Sequence, residues 1–141
     1  MSNIDMSLVI TAEDKAAEAR AAKLAQITVE RDRRISGGFT FEGVEYQTRP
    51  EDLENMAGAA TSALEAIVNG ALPGDLRWDD PNVDFAWIAA DNSLTPMDAQ
   101  TTLAMGKAAK RHKQLHIFTA RQMKNLAVLP DDFTDDAHWP A

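Results

Sequence analysis

His112 and His116 stand one helical turn apart in "KRHKQLH". Two imidazoles at that spacing can grip a zinc ion from one face of a helix. The zinc-peptidase motif also needs a Glu beside the first His, but Lys113 is there, and a third ligand would have to come from far along the chain. Solvent-facing or partly buried histidines are the expectation, and no metal or other cofactor is assigned. Asp131, Asp132, Asp135, Asp136 and His138 could attract a divalent cation, yet their spacing lacks the glycine and terminal Glu of a calcium loop. Asp79, Asp80 and Asp84 are the one set of acids that could serve a hydrolytic centre, and they lie in a turn-rich link. Ser36 sits in "ISGGF" and not in a Gly-x-Ser-x-Gly elbow, while Ser62 and Ser93 have no triad context. Cysteine is absent, which excludes disulfides, thiolate zinc sites and thiol nucleophiles together. No catalytic residue is assigned, and the chain reads as non-enzymatic.

Binding chemistry is sparse as well. Lys107, Lys110, Arg111, Lys113, Arg121 and Lys124 could meet phosphates, but they also suit the C-terminal end of a helix and could pair with acids in the middle of the chain. Residues 51–100 hold ten acids against Arg77 alone, and the net charge is −8. With that repulsion and no recognition motif, nucleic acid is a poor partner. Trp87 reads as core, whereas Trp78 and Trp139, in turn-like or terminal segments, read as contacts with another protein. No apolar run approaches the ~20 residues of a membrane helix, so no membrane partner is expected. The first residues, "MSNIDMSLVITAEDK", lack the pattern of a secretory signal.

Helices and turns must position these groups. The stretch "TAEDKAAEARAAKLAQITVERDRRI" has no Gly or Pro and opens with Thr11 three residues before Asp14, the mark of a capped helix. Ala17, Ala21, Leu24, Thr28, Arg31 and Ile35 follow a heptad rhythm, but the seam is small or polar, which favours a solvated docking helix over a strong coiled coil. Gly37 and Gly38 stop this helix. They follow a helix and precede a strand, so they do not form a phosphate loop. A two-residue turn at Glu42-Gly43 pairs Phe41 with Val44 and Phe39 with Tyr46, putting four large side chains on one face.

Pro50 then opens a second helix whose apolar face is Leu53, Met56, Ala57, Ala60, Leu64, Ile67 and Val68, ended by Asn69-Gly70. "DFAWIAADNSLT" predicts another hairpin, turning at Asp91-Asn92. Thr95-Pro96-Met97-Asp98 predicts N-cap, N1 proline and N3 acid of a last helix with a stripe of Met97, Ala104, Ala108, Leu115, Phe118 and Leu126, kinked at Gly106. The expected fold class is α+β, with two short β-hairpins packed with two or three helices. The division is an N-terminal helical arm at 1–35, a small α+β domain at 36–129 and an acidic tail at 130–141.

Taken in order, "ERDRRISGGFTFEGVEYQT", "NMAGAATSA" and "FAWIAADNSLTPMDAQTTLAMGKAAKRHKQLHIFTARQMK" are distinctive. The series resembles a domain-of-unknown-function family found in phage and prophage genomes near tail-fibre and tail-tip genes. The resemblance covers about residues 28–127 and implies no catalytic or cofactor residue. It implies a structural component of the tail tip or fibre-attachment region, made in the host cytoplasm and carried in the virion tail. Its partners would be other tail proteins or copies of itself. The alternative is a tail-fibre assembly factor absent from the mature virion. The expected partner interface comprises Ala17, Ala21, Leu24, Trp78, Phe133 and Trp139.

Overall fold

The computed structural model describes residues 6–141, with side chains from Thr11 onward. The elements are α1 (Met6–Ile35), β1 (Phe39–Phe41), β2 (Val44–Tyr46), α2 (Pro50–Val68), β3 (Ala86–Ile88), β4 (Leu94–Pro96) and α3 (Ala99–Lys124), followed by a 3-10 turn at Asp136–His138. The fold class is α+β, with two antiparallel two-stranded sheets. The chain forms two compact units, Arg33–His116 and a second one that joins the chain up to Asp32 with Ile117–Ala141. These boundaries fall inside α1 and α3, and they differ from the sequence division at 35 and 129 because residues 130–141 pack with α1.

In the unit Arg33–His116, β1 and β2 pair as the sequence predicts, Phe39 with Tyr46 and Phe41 with Val44. Glu42 and Gly43 both take positive φ, 50° and 79°, the left-handed pair that a two-residue type I′ turn demands. The aromatic face closes on Met56, Met97, Met105 and Ala109. A buried hydroxyl ties the hairpin down. Thr48 Oγ1 donates to Ile35 O at 2.5 Å and accepts from Gly38 N at 2.9 Å. The Ile35 carbonyl, left over at the end of α1, also lies 2.9 Å from His112 Nε2.

Pro50 does open α2 at its first turn, and Gly70, at φ 100°, closes it. Ala71 N donates to Ala66 O and Gly70 N to Ile67 O, the two bonds of a Schellman ending. The inner face differs from the expected stripe. Met56 and Ala63 are buried, whereas Leu64 and Val68 are 49% and 77% exposed. The reason lies on α3. A Cβ on Gly106 would overlap the Ala60 methyl and lie 3.2 Å from Met56 O, so the helices touch through their smallest side chains. Gly106 is a packing notch within the helix Ala99–Lys124.

The start of α3 also departs from expectation. Thr95 and Pro96 are strand residues, and Asp98 is the cap, its Oδ1 accepting from Thr101 N at 2.8 Å. Its other oxygen accepts from Gly74 N at 2.8 Å, anchoring the link after α2. Within α3, Thr102, Met105, Ala109, His116, Ala120 and Met123 are buried, while Leu115, Phe118 and, beyond the helix end, Leu126 are exposed. The buried row sits one position beyond the expected Ala104 and Ala108, a rotation of one residue around the helix.

In the other unit, Ile27, Ala120, Met123, Leu129 and Trp139 form a core, flanked by Leu24 and Phe133. Arg20 donates to the carbonyls of Ala127 and Leu126, both at 3.1 Å, covering chain that follows the end of α3. The acidic tail is folded and not loose. Asp131 pairs with Lys23, Asp132 with His138, and Asp135 accepts from Ala137 N.

Two helical glycines give opposite expectations for alanine substitution. Gly106→Ala forces Ala60 away and should destabilise by about 1–3 kcal/mol, as overpacked cores do. Gly58 in α2 has nothing near a Cβ, so Gly58→Ala should stabilise by up to about 1 kcal/mol. Thermal unfolding of the two variants beside the parent reads both signs. Equal melting temperatures for parent and Gly106→Ala would mean the helices do not meet there.

Candidate functional site

The residues singled out in the sequence do not gather into one place. Among the expected interface residues, Leu24 and Phe133 flank the core of the second unit, and Trp139 lies within it at 6% exposure. The Trp139 indole donates to Phe133 O at 2.6 Å. Trp78 belongs to the other unit, where it packs on Phe85 at 4.6 Å and donates to Met97 O at 3.0 Å. All four make contacts within the chain, with Leu24, Trp78 and Phe133 half-buried and Trp139 buried. Ala17 and Ala21 are exposed, as is every side chain from Thr11 to Ala22.

Both histidines are engaged with backbone. His112 Nε2 faces Ile35 O, and His116 Nδ1 lies 2.7 Å from His112 O, consistent with each ring nitrogen donating its proton. His116 is buried, and burial holds it below the ordinary histidine range, as an uncharged ring. Asp79, Asp80 and Asp84 do not converge. Asp84 meets Arg77 at 3.1 Å, and Asp80 accepts from Asn82 N in its own turn. Asp79 lines a polar groove of about 540 Å³ beside Glu65, Asp75 and Trp78. Among the described residues, no group of three His, Asp or Glu side chains is arranged to hold a metal ion. Of the basic row, Lys124 turns inward to Thr28 Oγ1, and burial lowers its pKa.

A second cleft, of about 480 Å³, was not visible in the sequence because two hairpins distant in the chain form it. Gln47, Arg49, Asp52 and Asn55 make one side, and residues Ala86–Ala89 with Asn92 make the other. Asp52, third residue of α2, accepts from Arg49 N at 3.0 Å and from Arg49 Nε at 2.7 Å. The Arg49 hydrogen bond holds the Asp52 carboxyl below its ordinary range, so the pair presents little net charge. Trp87 borders the cleft, tilted against Phe85 at 6.3 Å. The Trp87 indole N–H and the amides of Gln47, Asn55 and Asn92 make no hydrogen bond to any described residue. An Arg before a helix-starting Pro, with Asp three residues on, is the signal that could have located one wall.

Two hairpins, a helix pair and an amide-lined cleft define a small α+β protein. The sequence matches the family described as Domain of unknown function (DUF4376) over residues 18–138, and the chain belongs to that family. No curated protein and no solved structure matches it.

Replacing Asp52 tests the cleft wall. Asp52→Ala removes the acceptor at the start of α2 and should cost about 1 kcal/mol at neutral pH. Because the folded pKa is depressed, the contribution is complete above the unfolded value near pH 4 and disappears as pH falls through the folded one. Parent and variant should therefore converge in stability in acid. A constant difference across pH 2–7 in denaturant titrations would contradict this.

Proposed function

We propose that the chain is a non-enzymatic phage tail protein, a structural component of the tail tip or fibre-attachment region that acts through protein–protein contacts. The resemblance carried by the 28–127 motifs supports the setting. The observation that supports the mode of action is the exposure of α1 from Thr11 to Ala22. Most helical stability in proteins comes from burying a face, and this stretch of α1 buries none. Three turns of helix without a buried side chain are ready to bury one against a partner. Alanines at 17 and 21 let that partner's backbone come close.

Leu24 is a poor place to test docking, since it also packs on the core with Ile27. Ala17→Glu with Ala21→Glu alters the exposed face alone and should change unfolding free energy by no more than about 0.5 kcal/mol per site. The same variant should be missing from assembled tails. Mass spectrometry of purified particles reads its occupancy beside the parent. Normal incorporation of the variant removes α1 as the docking element. A parent protein found on fibres in infected-cell extracts but missing from mature particles replaces the structural role with that of an assembly factor.

A further inference from the structure

We propose that the cleft between the two hairpins receives an extended, uncharged peptide segment of a partner protein, added as a strand between the facing edges at Gln47 and at Ala86–Ile88. The inference is independent of the role given to α1. It follows from the direction of backbone groups. In the first hairpin the two-residue turn makes Phe41–Val44 and Phe39–Tyr46 the hydrogen-bonded pairs, so Glu45 directs its N–H and C=O away from β1. In the second hairpin, Ala89 N donates to Ser93 O and Met97 N to Phe85 O. These bonds fix the phase of the ladder, and Ala86, Ile88 and Ala90 direct their backbone groups away from β4.

The two outward edges meet once. Ala90 N donates to Glu45 O at 2.8 Å. Beyond that bond Gln47 and Ile88 both line the cleft, and no bond joins them. Among the described residues, the backbone N–H and C=O groups of Gln47, Ala86 and Ile88 have no partner. On β3 these groups repeat every second residue, or roughly 6.6–6.8 Å, the repeat at which an extended peptide presents its own. Strand addition to an open edge draws affinity from such main-chain bonds and specificity from side-chain pockets. The pockets here are Trp87 and the amides of Asn55 and Asn92, and Arg49 is already neutralised by Asp52. An uncharged peptide fits this chemistry. A saccharide would use the amides and the indole but would leave the backbone groups unpaired.

The test screens the full-length chain against a random library of uncharged nine-residue peptides and follows the enriched peptides by NMR. Bound peptide should slow amide exchange at Ala86 and Ile88 by roughly tenfold or more, as paired edge amides require. Ile88→Pro deletes an outward N–H without touching a bond to β4, and should weaken binding by roughly tenfold, the scale of one or two hydrogen bonds. Ile88→Ala keeps the N–H and should bind within roughly threefold of the parent. The same peptide N-methylated at alternate residues should not bind, which tests the backbone pairing without altering the protein. The proposal is overturned if no peptide is enriched, or if N-methylated and parent peptides bind equally. Maltohexaose protecting the same amides where peptides do not would assign the cleft to saccharide.

Discussion

The close approach of α2 and α3 at Gly106 is the constraint on which the unit Arg33–His116 rests. Helices that cross through a glycine and an alanine leave no room for branched side chains between them. The rest of the interior follows from that choice. Met56 and Met105, both fully buried, fill the space beside the crossing, where unbranched thioethers can adapt to an irregular gap. The hairpin β1–β2 then closes the end of the core with Tyr46, and its other aromatics cover what remains partly open. Larger apolar residues on α2, such as Leu64, are left outside because the seam is already occupied.

Polar contacts finish what the packing begins. Helix ends leave carbonyls and N–H groups without partners, and each must be met by something. Thr48, fully buried, serves the end of α1 and the glycine turn after it with a single hydroxyl. Asp98 serves both the start of α3 and the link at Gly74. Thr102 Oγ1 returns its proton to Asp98 O at 2.9 Å. These are short-range solutions from side chains of the right length, and none requires an ion pair.

Hairpin register was legible in the sequence, because a one-residue slip would have scattered the aromatic face of Phe39, Phe41, Val44 and Tyr46. Helix existence was legible from Pro50 and Asn69-Gly70, but the cap expected at Thr11 is not a helix start, because α1 already runs from Met6 and Thr11 lies inside it. Helix rotation was not. On α3 two rows lie side by side, the apolar Ala104–Leu115–Phe118 and the mixed Thr102–Met105–Ala109–His116. Hydropathy favours the first, while the space left by Ala60 and Met56 selects the second. Thr95-Pro96 looked like a cap because the local signal was sound, but pairing with Ala86 and Trp87 claimed those residues for β4. The candidate cleft was illegible for a different reason: it depends on two edges that approach at Ala90 and Glu45, a relation that no local pattern encodes.

Charge is arranged differently from the way the linear sequence suggests. The basic row Lys107, Lys110, Arg111 and Lys113 could have paired with the acids of residues 51–100, yet among the described residues these four make no salt bridge. The ion pairs include local ones, Arg49 with Asp52 and Arg77 with Asp84, and one that ties the tail back, Lys23 with Asp131. Exposed pairs of this kind contribute about 0–1 kcal/mol each, too little to decide a fold. The burial of methionine, tyrosine and tryptophan decides it instead. The unpaired lysines therefore serve no internal purpose that geometry reveals, and neither do the unpaired backbone groups on β3. Both are groups that folding leaves without a partner among the described residues.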